Sequence, residues 1–581
     1  MKIAKTITTL LSLTLTFLNC ERINADNQES AKSNITSISE LNKEASVPGS
    51  HFGETSRSSL ELDYRSMVTL GIDELGWKNM HYPRIKQLND GSFFMMYQAA
   101  RISKNILGAH SADGINWTQA GKVFTSVETV NGYGDKDLIC YSSADCLVLK
   151  NGDILAFSPF RTEKGYKMIP EDNGIAMVRS RDGGHTWEDY KVIFVGQNWE
   201  PYAMELESGE IQVYFTDSDP EFKGSSAGVS LLRSFDGGTT WTQQCYISRH
   251  FKGMALDQKN NVMARAYCDQ MPSVCTLGDG KTKFMAMESV QYEDDDTSKE
   301  KTYMLSFVWN DDNWKDTITG DETGPERKVD HAFRGCAPYV GYFPSGETIL
   351  SYNRTQLYFR LGNENADNFA DVPSYCPFVD SYGYWGSFEI LDDHSLFAAI
   401  PHKYDSEKKY HKITVGRLYL NHMIAVNEMT PVMDGSEEDW NNNTDALFVG
   451  SNGQAQSTFR FAKDADNVYV LVGLRDSKMF NGDIVKLKFG DGKSKSSTVE
   501  VNLPYNSHSV SVSGGLKAEV SYKHFAGEGF IAEVAIPKSK LPFTEDRLYF
   551  NANVVKKGEG YTDGFTNVKT ENPQTWIPLV F

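Results

Sequence analysis

Two glutamates invite a chemical reading because each closes or opens a strand-like segment. Glu200 lies in Asn198-Trp-Glu-Pro-Tyr-Ala-Met-Glu-Leu-Glu-Ser-Gly209, and Glu288 ends Gln270-Met-Pro-Ser-Val-Cys-Thr-Leu-Gly-Asp-Gly-Lys-Thr-Lys-Phe-Met-Ala-Met-Glu288. A carboxylate pair, one ionised and one protonated, suffices to cleave a glycosidic bond: one attacks the anomeric carbon while the other protonates the departing oxygen. Burial and mutual repulsion would push the two pKa values apart. Retention of configuration would need the carboxyl groups about 5–5.5 Å apart, and inversion about 6.5–9.5 Å. Trp199 and Tyr202 flank Glu200 and can stack on a sugar face. The eight cysteines form no CxxC pair and no metal-ligand spacing is present, so no metal and no other cofactor is expected.

The elements that must carry these residues are repeats. Ser111-Ala-Asp-Gly-Ile-Asn-Trp117, Ser180-Arg-Asp-Gly-Gly-His-Thr-Trp187 and Ser234-Phe-Asp-Gly-Gly-Thr-Thr-Trp241 share one pattern. In each, Asp113, Asp182 or Asp236 can accept turn amides, Gly supplies positive φ, and Trp folds back over the turn. A second repeat interleaves with the first. Tyr82-Pro, Ser143-Ala, Glu200-Pro, Met271-Pro and Ala337-Pro each open a β-rich stretch that ends in a Gly turn at 91, 152, 209, 280 or 346, and Trp385-Gly opens a degenerate sixth that ends at His394. One four-stranded unit per copy predicts six units finishing near His422.

The first repeat resembles the Asp-boxes of sialidase-like propellers, which are structural and lie away from the active site. The resemblance implies an all-β chain: a six-bladed sialidase-type β-propeller over 51–422. The residues before each Gly turn would then lie on the innermost strand and face the central funnel. From Ala425 the texture changes. Met433-Asp-Gly-Ser-Glu-Glu-Asp-Trp440, the strand pair in 459–472 and Asn572-Pro-Gln-Thr-Trp576 resemble the family 9 carbohydrate-binding module, which implies a C-terminal β-sandwich over 425–581. Trp440 and Trp576 fall at structural positions of that family.

A sialidase needs an arginine triad for the substrate carboxylate, a task suited to bidentate guanidinium, together with a tyrosine nucleophile and an aspartic acid/base. Arg84 matches the first triad arginine and Glu200 the glutamate that supports the nucleophile. The stretch between Arg101 and Ser111 holds no carboxylate, however, and sixteen residues after Glu200 stands Thr216 instead of arginine. The segments around Glu200 and Glu288 more closely resemble glycoside hydrolase family 93, the exo-α-L-arabinanases, with Gln270 in place of that family's glycine. This resemblance implies Glu200 as nucleophile and Glu288 as acid/base. Arg84, Arg354, Trp199, Tyr202, Tyr382 and Tyr384 would bind substrate, although Tyr382 and Tyr384 equally suit core packing beside Trp385 and Phe388. Exo-action on arabinan by a retaining hydrolase is the leading expectation. An atypical sialidase-like hydrolase and a non-catalytic glycan-binding propeller are the alternatives.

Bulk properties fit an exported glycan-active protein. The 581 residues carry a net charge of −19, which disfavours nucleic acid as a partner. Aromatic residues make up 12 % of the chain, generous for strands and sugar clefts alike. Lys2 and Lys5 followed by an apolar run from Ile7 to Leu18, too short to span a bilayer, read as an export signal over 1–25. Lipidation at Cys20 and cleavage after Ala25 are both open. Residues 26–50 read as a solvated tether. The expected destination is the periplasm, the cell surface or the medium, as a monomer whose one membrane link is the lipid anchor.

Overall fold

The computed structural model describes residues 58–581 except 101–103, 166–168, 219–227, 250, 257–261, 268, 293–300, 316–326, 379–380, 383–384, 406–409, 441–445, 451–454, 506–509 and 566–570; of 249, 251–256, 262–267, 292, 301 and 403–405 it describes the backbone alone. The export signal, the tether, Cys20 and Tyr384 therefore lie outside the described residues.

The chain forms two compact units, one within Phe52–His422 and the other within Met423–Phe565 and Trp576–Phe581. Among the described residues the first contains six small antiparallel sheets in chain order, with a separate two-stranded pair, Phe251–Leu256 and Val262–Tyr267, between the third and fourth. Blade 1 runs from His81–Gln87 to Trp117–Phe124, blade 2 from Asp145–Val148 to Glu188–Val195, and blade 3 from Asn198–Glu205 to Cys245–Arg249. Blade 4 runs from Gln270–Thr276 to Arg327–Arg334, blade 5 from Cys336–Tyr342 to Leu357–Gly362, and blade 6 from Ser387–Ile390 to Tyr410–Leu420. The first strands touch one another in a closed ring, blade 1 to 2 and onward to 6, which meets blade 1 again. This is a propeller. Leu60–Leu70 pairs antiparallel with Tyr410–Leu420, so the first described strand completes the last blade and clasps the ring shut. Among the described residues blade 5 has three strands.

Each blade follows from its sequence repeat. Gly91, Gly152, Gly209, Gly280 and Gly346 all take positive φ in the turn between first and second strands. Their amides close these turns onto Leu88, Leu149, Leu206, Leu277 and Phe343. The Asp-boxes close the turns between third and fourth strands of blades 1 to 3. Asp113 accepts the amides of Ile115 and Asn116 at 2.8 and 2.7 Å, and Trp117 Nε1 donates to the Gly114 carbonyl at 2.8 Å. The Asn116 amide above all holds the Asp113 carboxyl down at about 2. Blade 4 carries a degenerate version that the sequence pattern missed: Asn310 Oδ1 accepts the Trp314 amide at 2.8 Å, with Asn standing where the others have Ser.

Buried charge fills the axis below the strand mouths. Arg84, Asp145, Tyr202, Ser273, Tyr339 and Ser387 occupy the same repeat position in the six first strands, and each is buried. Arg84 Nε lies 3.5 Å from Asp145 Oδ1, and its guanidinium stacks 3.9 Å over Trp385. Neighbouring blades donate into this layer. Ala203 N reaches Asp145 at 2.9 Å, Val340 N reaches Ser273 at 3.0 Å, and Ile85 N reaches Ser387 at 3.0 Å.

The second unit packs two sheets face to face, one of seven strands and one of six. Phe459 and Phe461 of one sheet meet Phe550 of the other at 5.6 and 4.8 Å. Trp440 is fully buried with its Nε1 donating to Glu533 at 3.0 Å, and Trp576 is buried as well, so both are core residues. Among the described residues no two cysteines are joined in a disulfide.

Burial pushes the Asp145 carboxyl upward even with Arg84 and Lys86 beside it, so this pair is held at a desolvation cost. Asp145→Ala, which leaves the Arg84 charge buried and unpaired, is expected to destabilise the first unit by about 3–5 kcal/mol. The double variant Arg84→Met/Asp145→Leu should recover most of that loss. Chemical denaturation of both variants beside the parent checks the pair.

Candidate functional site

One backbone device sets the site. Tyr82, Ser143, Glu200, Met271 and Ala337, the same repeat position in five blades, take φ of 51, 52, 40, 52 and 50°. Four of these five precede proline, which ordinarily holds its predecessor in extended conformations. A left-handed non-glycine residue here costs on the order of 1–3 kcal/mol and persists because its surroundings over-determine it. In blades 1, 3, 4 and 5 the strand register shifts at this point, so each is a bulge that turns one side chain off the pleat. The surroundings are the preceding blade: Ser143 N donates to Gln98 Oε1 at 2.6 Å, Met271 N to Thr216 Oγ1 at 2.8 Å, and Ala337 N to Glu288 Oε2 at 3.0 Å.

Glu200 is itself a bulge residue, and Glu288 is one of the acceptors that stitch the next bulge. The two are joined through a short polar chain. Thr216 Oγ1 donates to Glu200 Oε2 at 3.2 Å while accepting Met271 N; the neighbouring Gln270 donates its side-chain amide to Glu288 Oε1. Glu288 thus receives a donor on each of its two oxygens. Glu200 receives one. Burial, and then the charge of Glu288, push Glu200 up to about 8. The push is toward the protonated form of Glu200, whereas the sequence resemblance has Glu200 ionised as the nucleophile.

Of the other sequence-predicted residues, Trp199 lies half-buried beneath Arg161, whose guanidinium is 4.2 Å from the indole. Arg161 and Arg84 both lower the Glu200 pKa, against the larger upward push. Arg84 was expected to touch substrate; the structure instead buries it completely, stacked on Trp385 and facing Asp145, where it acts on the site through its charge. Tyr202 is likewise buried, edge-on to Tyr339 at 5.5 Å, so it packs the axis rather than offering a sugar platform. Arg354 is exposed beyond the second strand of blade 5, and no described contact ties its side chain to either glutamate. Tyr382 stacks on His411, with ring centroids 4.8 Å apart. His81 packs against the same His411 at 4.8 Å. Among the described residues no cluster of His, Cys, Asp or Glu could hold a metal ion.

The sequence reading missed Thr216, Gln270 and Arg161. The signal for Thr216 was the interval of sixteen residues after Glu200, read only as a missing arginine. Gln270 was noticed only as a departure from glycine, yet it pairs in register with Glu288.

No family model and no curated protein matches the chain. Solved structures resemble it at low identity. A protein of unknown function from Dyadobacter fermentans is 16 % identical, covering 62 % of this chain and 99 % of that one with a TM-score of 0.46. The family 93 α-L-arabinofuranosidase of Fusarium graminearum, solved with arabinobiose, is 13 % identical, covering 61 % and 98 % with a TM-score of 0.44. A family 9 carbohydrate-binding module from Caldicellulosiruptor kristjanssonii is 18 % identical, covering 27 % and 92 % with a TM-score of 0.23.

The raised Glu200 pKa has a stability consequence. Unfolded, this carboxyl ionises near its ordinary value; folded, it holds its proton up to about 8. Its contribution is fully present below the ordinary carboxylate pKa and is lost as pH rises toward 8. Glu200→Gln, which cannot ionise, should match the parent near pH 4 and exceed it by on the order of 2–4 kcal/mol at pH 8. Denaturation midpoints across that range check the sign.

Proposed function

We infer that this protein is a glycoside hydrolase whose first unit cleaves O-glycosyl bonds with the Glu200–Glu288 pair. One observation carries the reading. Glu288 occupies the place held by Gln98 in blade 1 and Thr216 in blade 3, where a neutral side chain accepts the next bulge amide equally well. Stitching alone does not call for a buried carboxylate, which costs desolvation and raises the pKa of the glutamate beside it. Two coupled carboxyl groups sharing a proton are what acid-assisted glycosidic cleavage uses. Glu200 can attack once the proton has passed to Glu288; Gln270 and the Ala337 amide would then hold Glu288 at the leaving oxygen. Trp199 under Arg161 offers the half-exposed aromatic face nearest Glu200.

The substrate we propose is a glycan trimmed from its end, with α-L-arabinofuranosyl linkages first among the sugars. The sequence motifs around Glu200 and Glu288 support that choice. A sialidase reading lacks its arginines: Arg84 is buried, and Thr216 stands at the second triad position. We further propose an exported protein whose C-terminal sandwich belongs to the glycan-binding modules.

Incubation with debranched arabinan, other plant polysaccharides and sialyllactose, with released sugars separated by chromatography, tests this. The parent should release arabinose or arabinobiose, and Glu200→Gln and Glu288→Gln should each lose at least about a thousandfold. Free sialic acid would overturn the substrate assignment. No product from any glycan would overturn the hydrolase reading.

A further inference from the structure

A hairpin outside the propeller repeat lies beside the site. Val127–Val130 and Lys136–Tyr141 pair with each other, and the second strand also pairs with the end of Ile154–Thr162, extending blade 2 by two strands. Its register places Cys140 opposite Arg161, the arginine that covers Trp199, and Ile139 opposite Thr162. The hairpin then runs directly into Ser143, the left-handed residue of blade 2. It therefore rises from the same rim as Glu200 and leads outward from it.

Between this hairpin and the turn at Glu163–Lys164 lies a cleft of about 550 Å³, lined among others by Glu128, Val130, Lys136, Leu138 and Glu163. At about 3.3 Å per residue it begins roughly 7 Å beyond Arg161. Its frame is rigid: Asp137 accepts Asn131 Nδ2 at 3.0 Å, the Leu138 amide at 2.8 Å and the Lys164 amide at 3.1 Å. In its lining Val130 is 62 % exposed. Charges of both signs beside the aliphatic Val130 and Leu138 suit a neutral polyhydroxylated chain. Hydroxyls can donate to carboxylates and accept from ammoniums while the sugar's C–H face lies on the aliphatic surface.

The geometry points to this cleft as a distal subsite for a glycan chain, holding sugar units beyond those at Glu200 and Glu288. The inference rests on the hydrolase reading and deepens it: the substrate is then a polymer, gripped over blade 2, rather than a short terminal glycan.

Hydrogen–deuterium exchange on the full chain carrying Glu200→Gln tests it, with an arabinan octasaccharide and arabinobiose as probes. The octasaccharide should slow exchange in peptides covering 127–141 and arabinobiose should not; adding Val130→Asp, which sets a charge against the sugar's C–H face, should abolish that slowing while leaving the propeller's own protection intact. In the active chain, Val130→Asp should raise KM for debranched arabinan about tenfold and leave kcat/KM for arabinotriose unchanged. Absence of slowing at 127–141, or equal kinetic loss on both substrates, overturns the subsite. Persistent hydrolysis by Glu200→Gln would instead sink the catalytic assignment, while exchange at the hairpin still reports the cleft.

Discussion

The propeller hangs on a left-handed residue at the mouth of five of its six inner strands. A non-glycine residue at φ near 50°, four times out of five before proline, is locally unfavourable. In blades 2, 4 and 5 it is held because its amide is satisfied by a side chain of the preceding blade. Strain in one blade is thus resolved only by the presence of another, which makes blade-to-blade contact specific rather than merely apolar. The bulge also redirects one side chain per blade, and in blade 3 that side chain is Glu200. The same geometry that closes the ring therefore brings Glu200 into the polar chain that ends at Glu288.

The layer beneath shows the complementary constraint. Arg84, Asp145, Lys86 and Glu389 bring two positive and two negative groups to the axis. Arg84 faces Asp145 at 3.5 Å and Lys86 faces Glu389 at 3.1 Å. Such pairs rarely add net stability over apolar packing. Their placement does matter to the site, since Arg84 is among the charges that act on Glu200.

Much of this was legible in the sequence because it is local and repeated. Each Gly turn needs positive φ, and each Asp-box needs an acceptor at a fixed offset, so the spacing of these residues maps onto blades. What was illegible depends on partners far apart in the chain. Nothing near Leu60–Leu70 says that it completes a sheet begun more than three hundred residues later. Arg84 looks like a ligand-binding arginine until Asp145 and Trp385 are seen to enclose it. Thr216 and Gln270 acquire meaning only when a bulge in one blade meets a strand end in another. The hairpin at 127–141 breaks the blade period and so carried no repeat signal at all.

How the two glutamates are held follows from the same architecture. Glu288 takes the Ala337 amide on one oxygen and the Gln270 side-chain amide on the other, so it cannot turn away without loosening the bulge of blade 5. Glu200 takes the Thr216 hydroxyl, and burial, then the charge of Glu288, push its carboxyl up to about 8. The hydrolase proposed above would need Glu200 ionised for attack and Glu288 protonated at the leaving oxygen, so on that reading a proton has to pass from the bulge residue to the stitching residue when a sugar binds. Thr216 and Gln270, which join the two glutamates through the Gln270–Met271 backbone, fix the geometry over which that transfer would take place.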